Sequence, residues 1–181
     1  LIFCRGLQTD GAPVADEIIV TDVGQLNSEV RLVWTGTGYG VVWTSTRLGG
    51  PRIFFARLGA DGQKIGQDVV VDAAATFATN AAIAWSGQGF GVTWMEGNPG
   101  EKDTFFRRVD ANGQPQGAPL RVLESPGTSG PPAVAWSGLE WGLAWSESEL
   151  GDHNLFFARV DANGERVGLP VRAVQSPGNA N

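Results

Sequence analysis

Along most of the chain, large apolar residues alternate with small or polar ones over short stretches, and turn-forming residues separate the stretches. In Phe90-Gly91-Val92-Thr93-Trp94, an extended backbone places Phe90, Val92 and Trp94 on one side and Gly91 and Thr93 on the other. Trp141-Gly142-Leu143-Ala144-Trp145 repeats the pattern. A period of two predicts strands, and no stretch carries a helical period. Asp10-Gly11, Asp61-Gly62, Asn112-Gly113 and Asn163-Gly164 predict hairpin turns, because these pairs tolerate the positive φ of type I′ turns. In the middle of the chain the pattern gives strand A over 81–85, B over 90–95, C over about 104–110 and D over 120–123.

The pattern repeats. Trp34 to Trp43, Trp85 to Trp94 and Trp136 to Trp145 align without gaps at an interval of 51 residues. Phe54-Phe55-Ala56-Arg57, Phe105-Phe106-Arg107-Arg108 and Phe156-Phe157-Ala158-Arg159 keep the same interval. At the start of the chain, Ile2-Phe3-Cys4-Arg5 leads to Asp10-Gly11 as a partial copy, with one extra residue before the turn. A period near 50 residues with several strands in each unit predicts an all-β chain, a β-propeller built of four-stranded antiparallel blades. About 3.5 blades are expected in a single repeat domain over 1–181: strands C and D of a partial blade in 1–25, then blades at 26–76, 77–127 and 128–181. One face of each sheet is bulky and the other small, so stacked sheets would set large groups against small ones. Strands A and B, which carry the small residues, are expected nearest the axis. Trp43, Trp94 and Trp145 are expected to be buried between sheets, and the repeating Trp34, Trp85 and Trp136 are likewise read as packing. Trp141 departs from the repeat, replacing Tyr39 and Phe90.

The motifs resemble those of a large group of bacterial propeller repeats common in myxobacterial-type surface and secreted proteins. Their blade reads Trp-Ser-Gly-x-x-aromatic-Gly-Val-x-Trp, a variable loop, then aromatic-Phe-Ala-Arg-Leu-Asp-x-x-Gly. Trp85-Ser86-Gly87, Phe90-Gly91-Val92 and Trp94 match the first half, and Phe157-Ala158-Arg159-Val160-Asp161 with Asn163-Gly164 matches the second. The resemblance covers nearly the whole chain and implies a propeller and a secreted or surface location. It implies no activity. The acidic-Thr-Arg loop usual after strand B survives only as Ser45-Thr46-Arg47.

Composition narrows the function further. With 13 basic against 19 acidic residues and a net charge of -6, the chain lacks the clustered positive charge that nucleic acid requires. No apolar run approaches the roughly 20 residues that cross a bilayer, so no membrane insertion is expected. Cys4 stands alone, which removes an intrachain disulfide and a cysteine metal site. Without an initial Met or a visible signal peptide, the sequence reads as a processed or excerpted segment.

Candidate chemistry is sparse. The one histidine, His153, sits between strands B and C of the last unit and reads as a solvated loop residue rather than a triad member. Asp110-Ala111-Asn112-Gly113 and its copy at Asp161 resemble the opening of calcium loops, but turn chemistry accounts for them and the further carboxylates are missing. Acidic residues gather between strands B and C: Glu96, Glu101 and Asp103 in one unit, Glu147, Glu149 and Asp152 in the next. The first unit offers Thr46, Arg47 and Arg52 there instead. Unlike loops on like blades suit binding, so the expected ligand site is Arg47, Glu96, Glu147 and Asp152, with Trp141 as the candidate aromatic contact. No catalytic residue, metal or cofactor is expected. The leading reading is a non-catalytic binding or scaffold module of a bacterial secreted or surface protein, with a protein or carbohydrate ligand. The rivals are a lectin-like carbohydrate-binding propeller and a glycoside-acting hydrolase, which would need paired carboxylates. Further blades from a longer chain, or a second copy, are expected to be needed for closure.

Overall fold

The computed structural model describes residues 1–14, 16–21, 26–124, 127–149 and 152–175. Two short strands, β1 (Phe3–Cys4) and β2 (Ile18–Ile19), form an antiparallel pair. A first sheet follows, of β3 (Asn27–Trp34), β4 (Gly38–Ser45), β5 (Arg52–Gly59) and β6 (Lys64–Val70). The second contains β7 (Ala78–Trp85), β8 (Gly89–Asn98), β9 (Glu101–Asp110) and β10 (Pro115–Arg121). In the third, β11 (Thr128–Ser129) and β12 (Ala133–Trp136) share the first position, ahead of β13 (Trp141–Glu149), β14 (Asp152–Val160) and β15 (Val171–Gln175). Each sheet is an antiparallel meander in chain order, and no helix occurs among the described residues.

The repeat extends to individual cross-strand pairs. Trp43 faces Phe54, Trp94 faces Phe105 and Trp145 faces Phe156, each pair stacked within its own sheet. The N-terminal pair obeys the same 51-residue interval, since Phe3 faces Ile19 as Phe54 faces Val70. The extra residue inferred before Asp10-Gly11 is therefore absent. Arg5 is not the counterpart of Arg57: Cys4 takes the place of Phe55, and Gly6 that of Arg57.

Strand limits differ from the expected ones most at two places. The stretches read as loops between B and C are hairpin continuations, with Glu96 opposite Asp103 and Glu147 opposite Asn154. The last strand of the second sheet begins directly after its turn, at Pro115 rather than Leu120. Proline is tolerated there because an outer strand need not donate its N–H on the solvent side.

The first strands carry a bulge that the alternation of apolar and polar residues does not signal. Their ladders break between Ser28 and Arg31 and between Thr79 and Ala82. Inside those breaks Glu29 (φ 57°) and Asn80 (φ 55°) adopt left-handed backbone. The third sheet has Pro131 at this position, whose ring holds φ near −65°. There the strand splits into β11 and β12. Glu29 Oε2 accepts hydrogen bonds from Thr44 Oγ1 and from the Asn80 backbone N–H, both at 2.7 Å, which ties the first strands of two sheets together.

Sheets stack bulky front face onto small back face. A Cβ on Gly40 would come within 2.4 Å of Phe90, and one on Gly91 within 2.7 Å of Trp141. These glycines make room for the aromatic residue of the following sheet. Phe55 packs on Phe90 and Phe106 on Trp141, with ring centroids 4.9 and 5.8 Å apart. Trp43, Trp94 and Trp145 are buried as expected, at 0, 0 and 1% exposure. At the outer edge, Arg57 Nη1 donates to Ala111 O at 2.9 Å and Arg108 Nη1 to Asn163 O at 3.1 Å. Each arginine reaches the turn of the next sheet.

Candidate functional site

Of the residues expected to form a ligand site, Arg47, Glu96 and Glu147 are each bonded to a partner in their own blade. Arg47 donates to Asp68 Oδ2 at 2.7 Å and lies 3.7 Å over the Phe54 ring, which holds it against its own sheet. Glu96, on β8, accepts from Trp94 Nε1 at 2.9 Å. Burial pushes its carboxyl pKa above the ordinary 4.5, and the Asp72 charge adds to that; bonds from Trp94 and the Thr76 backbone, and the Arg52 charge, oppose it. Glu147, on β13, is buried and accepts from Ser129 Oγ at 2.9 Å and Trp145 Nε1 at 3.1 Å. The backbone of Asp152 opens β14, and its side chain lies outside the described residues. Trp141 begins β13, at the opposite end of the sheet from Glu147.

The charges acting on Glu96 are Asp72 and Arg52, while Glu147 is bonded within the third sheet. Asp103 accepts from Arg121 Nε at 2.9 Å. His153 Nδ1 is bonded to Ser148 Oγ at 2.7 Å across an exposed hairpin. The turn aspartates are occupied by backbone: Asp110 Oδ1 accepts from the N–H groups of Asn112 and Gln114 at 2.9 and 2.8 Å. Asp161 is bonded in the same way, chiefly by the Glu165 N–H, which lowers its pKa.

A different site takes shape between the second and third sheets, where the A-to-B and C-to-D turns emerge. Here a pocket of about 390 Å³ is walled by Phe90, Trp136 and Trp141. Gln88, Arg108, Asp110 and Leu139 stand around it. Trp136 ends β12 and Trp141 begins β13, so a tight turn brings the two indoles to 4.6 Å at an interplanar angle of 57°. Tyr39 with Trp34, and Phe90 with Trp85, make the equivalent pairs in the earlier sheets. The corresponding pocket between the first and second sheets is smaller, about 270 Å³, and Phe90 stands in the place of Trp141.

That replacement changes the chemistry. Trp141 is 2% exposed, and its Nε1–H has no hydrogen-bond partner among the described residues. A buried indole N–H without an acceptor is uncommon, because the group loses water and gains nothing in return. Its benzo edge packs over Gly91, leaving the N–H edge directed away from that contact. The pocket therefore combines aromatic walls with an amide, a guanidinium and a carboxylate at its rim, beside a buried indole N–H. Sequence pattern singled out Trp141 as the break in the repeat. It gave no sign of the pocket, whose lining comes from four turns on two sheets.

No protein-family model matches the chain, and no curated protein matches it. Among solved structures, an exo-1,5-alpha-L-arabinanase from a bovine ruminal metagenomic library is similar over 97% of this chain and 75% of that one. The TM-score is 0.54 and the identity 12%. At that identity the likeness bears on fold alone: the chain is an all-β propeller of four-stranded blades.

Proposed function

We propose that this chain is a non-catalytic binding module whose ligand is a carbohydrate, held in the pocket between the second and third blades. The observation that carries the reading is the Trp136–Trp141 aromatic wall of a pocket rimmed by an amide, a guanidinium and a carboxylate. A sugar ring offers an apolar C–H face to an aromatic wall and hydroxyl oxygens to donors. Sites of this type are mostly apolar, with a few placed polar groups fixing orientation. Gln88, Arg108 and Asp110 supply such groups here. Hydrolysis would need two carboxyl groups facing one bond. The pocket has one, Asp110, and its oxygens accept from Asn112, Gln114 and Gln116. The neighbour named as an arabinanase makes arabino-oligosaccharides a reasonable part of the test panel. A place on a secreted or surface protein, where glycans are met, fits this role.

A glycan array probed with the whole chain, followed by titration of its hits, tests the proposal. Binding should be lost in Trp136→Ala and retained in Trp85→Ala, and bound oligosaccharide should be recovered uncleaved. Retention of binding in Trp136→Ala would overturn the site. Release of reducing sugar would overturn the non-catalytic reading.

A further inference from the structure

Strand β9 sends its side chains alternately to the two faces of the second blade, so Phe106, Arg108 and Asp110 share the face turned toward the third blade. Over that row the strand advances about 13 Å. The carbohydrate pocket takes Arg108 and Asp110 from the end of the row nearest the turn. A second pocket, of about 230 Å³, opens at the other end. There Phe106 and Arg108 meet Gln116 and Ala118 of β10 and the third blade's turn at Asn163 and Glu165. A bulge in the outer strand makes the space. The ladder between β10 and β9 slips between Gln116 and Leu120, and Gly117 inside the slip has a φ of 64°. A Cβ on Gly117 would have nothing within 4 Å.

Shared side chains join the two pockets. Arg108 lines both, and its Nη1 donates to Asn163 O at 3.1 Å. Gln116 of the second pocket donates from Nε2 to Asp110 Oδ2 of the first at 3.2 Å. The third blade's turn follows both, with Ala162 at the first and Asn163 at the second. A guanidinium, an amide and a carboxylate thus stand side by side between two open spaces. The seam between the first and second blades has the same two pockets, sharing Arg57. Its polar links are gone: Gly59 stands at the position of Asp110, and Ile65 at that of Gln116.

We infer that the seam between the second and third blades takes a linear oligosaccharide, with one sugar ring in the aromatic pocket, the next in the pocket beside Gly117, and Arg108 against the linkage between them. The inference rests on the carbohydrate reading above and adds the length and path of the ligand. One ring against Trp136 and Trp141 leaves the second pocket to water. A chain sets hydroxyl groups of both rings along the polar row, where Arg108 and Gln116 supply N–H donors and Asp110 accepts. The second ring is tethered to the first, so its contacts add affinity without a separate association step.

The test reads affinity against chain length by titration calorimetry of the whole chain, with arabino- and cello-oligosaccharides of one to six units as probes. In at least one series, affinity should rise about tenfold or more between one unit and three, then level off. Ala118→Trp fills the second pocket from an exposed position and should remove that gain, leaving the affinity for the single unit unchanged. Glu165→Ala serves as the second variant if Ala118→Trp loses its β circular dichroism. Trp136→Ala should lose binding at every length. Affinity that depends on Trp136 but not on chain length would overturn this inference and leave the carbohydrate reading standing, as would a length gain that survives both second-pocket variants. Binding of no probe, or binding indifferent to Trp136→Ala, would overturn the carbohydrate reading and this inference with it.

Discussion

Trp145 donates its indole N–H to Glu147, two residues along the same strand, at 3.1 Å. Trp94 does the same to Glu96 at 2.9 Å. In the first blade the partner position is Ser45, too short to reach, and Trp43 Nε1 is buried without an acceptor among the described residues. One repeated relationship thus explains acidic residues that look, in sequence, like surface charge.

Removing the acceptor at Glu147 should destabilise the fold. Glu147→Ala leaves the Trp145 N–H and the Ser129 hydroxyl buried with one partner fewer. The expected loss is about 2–3 kcal/mol, while Glu147→Gln, which keeps an acceptor oxygen, should lose about 1 or less. Urea unfolding of both variants measures the difference; equal losses would argue against the hydrogen-bond role.

Supplying the acceptor where it is missing should help. Ser45→Glu restores in the first blade the pairing of the other two, and should raise stability by about 1 kcal/mol. A higher urea midpoint with an unchanged slope is the expected outcome. A lower midpoint would mean that the space beside Trp43 cannot take the longer side chain.

How much of this was legible follows from where each feature is encoded. The blades were, because Trp94 and its copies recur at a fixed interval and alternate with small residues. The bulge at Glu29 and Asn80 was not: a charged and an amide residue share the backbone conformation with no common side-chain signature, and Pro131 hides the third copy. The hairpins carrying Glu96 and Glu147 looked like loops because their tips are polar, yet ladder pairing with the neighbouring strand extends them. The pocket at Trp141 depends on two sheets meeting, which no local pattern reports. The expected site at Arg47, Glu96, Glu147 and Asp152 was chosen for charge, and the described charges there are engaged with their own blades.

Glu96 gives a pH dependence with a definite sign. Its folded pKa lies above the ordinary 4.5, chiefly through burial, so the folded chain holds the proton more tightly than the unfolded chain. The stabilisation is complete below that ordinary value and is lost as pH rises through the raised one. Glu96→Gln keeps an acceptor for Trp94 and removes the titration. Its stability should fall less than that of wild type between about pH 4 and about pH 7. Parallel curves for the two proteins would contradict the assignment.

The most direct test of carbohydrate binding reads the indole N–H groups themselves. The chain has seven tryptophans, and a ¹⁵N-labelled sample resolves their side-chain signals one by one. Titration with an oligosaccharide from the array should shift Trp136 and Trp141, whose rings wall the pocket. Trp43, Trp94 and Trp145 should stay in place. Shifts centred instead on the hairpins of Glu96 and Glu147, with Trp141 unmoved, would contradict the pocket between the second and third blades as the ligand site.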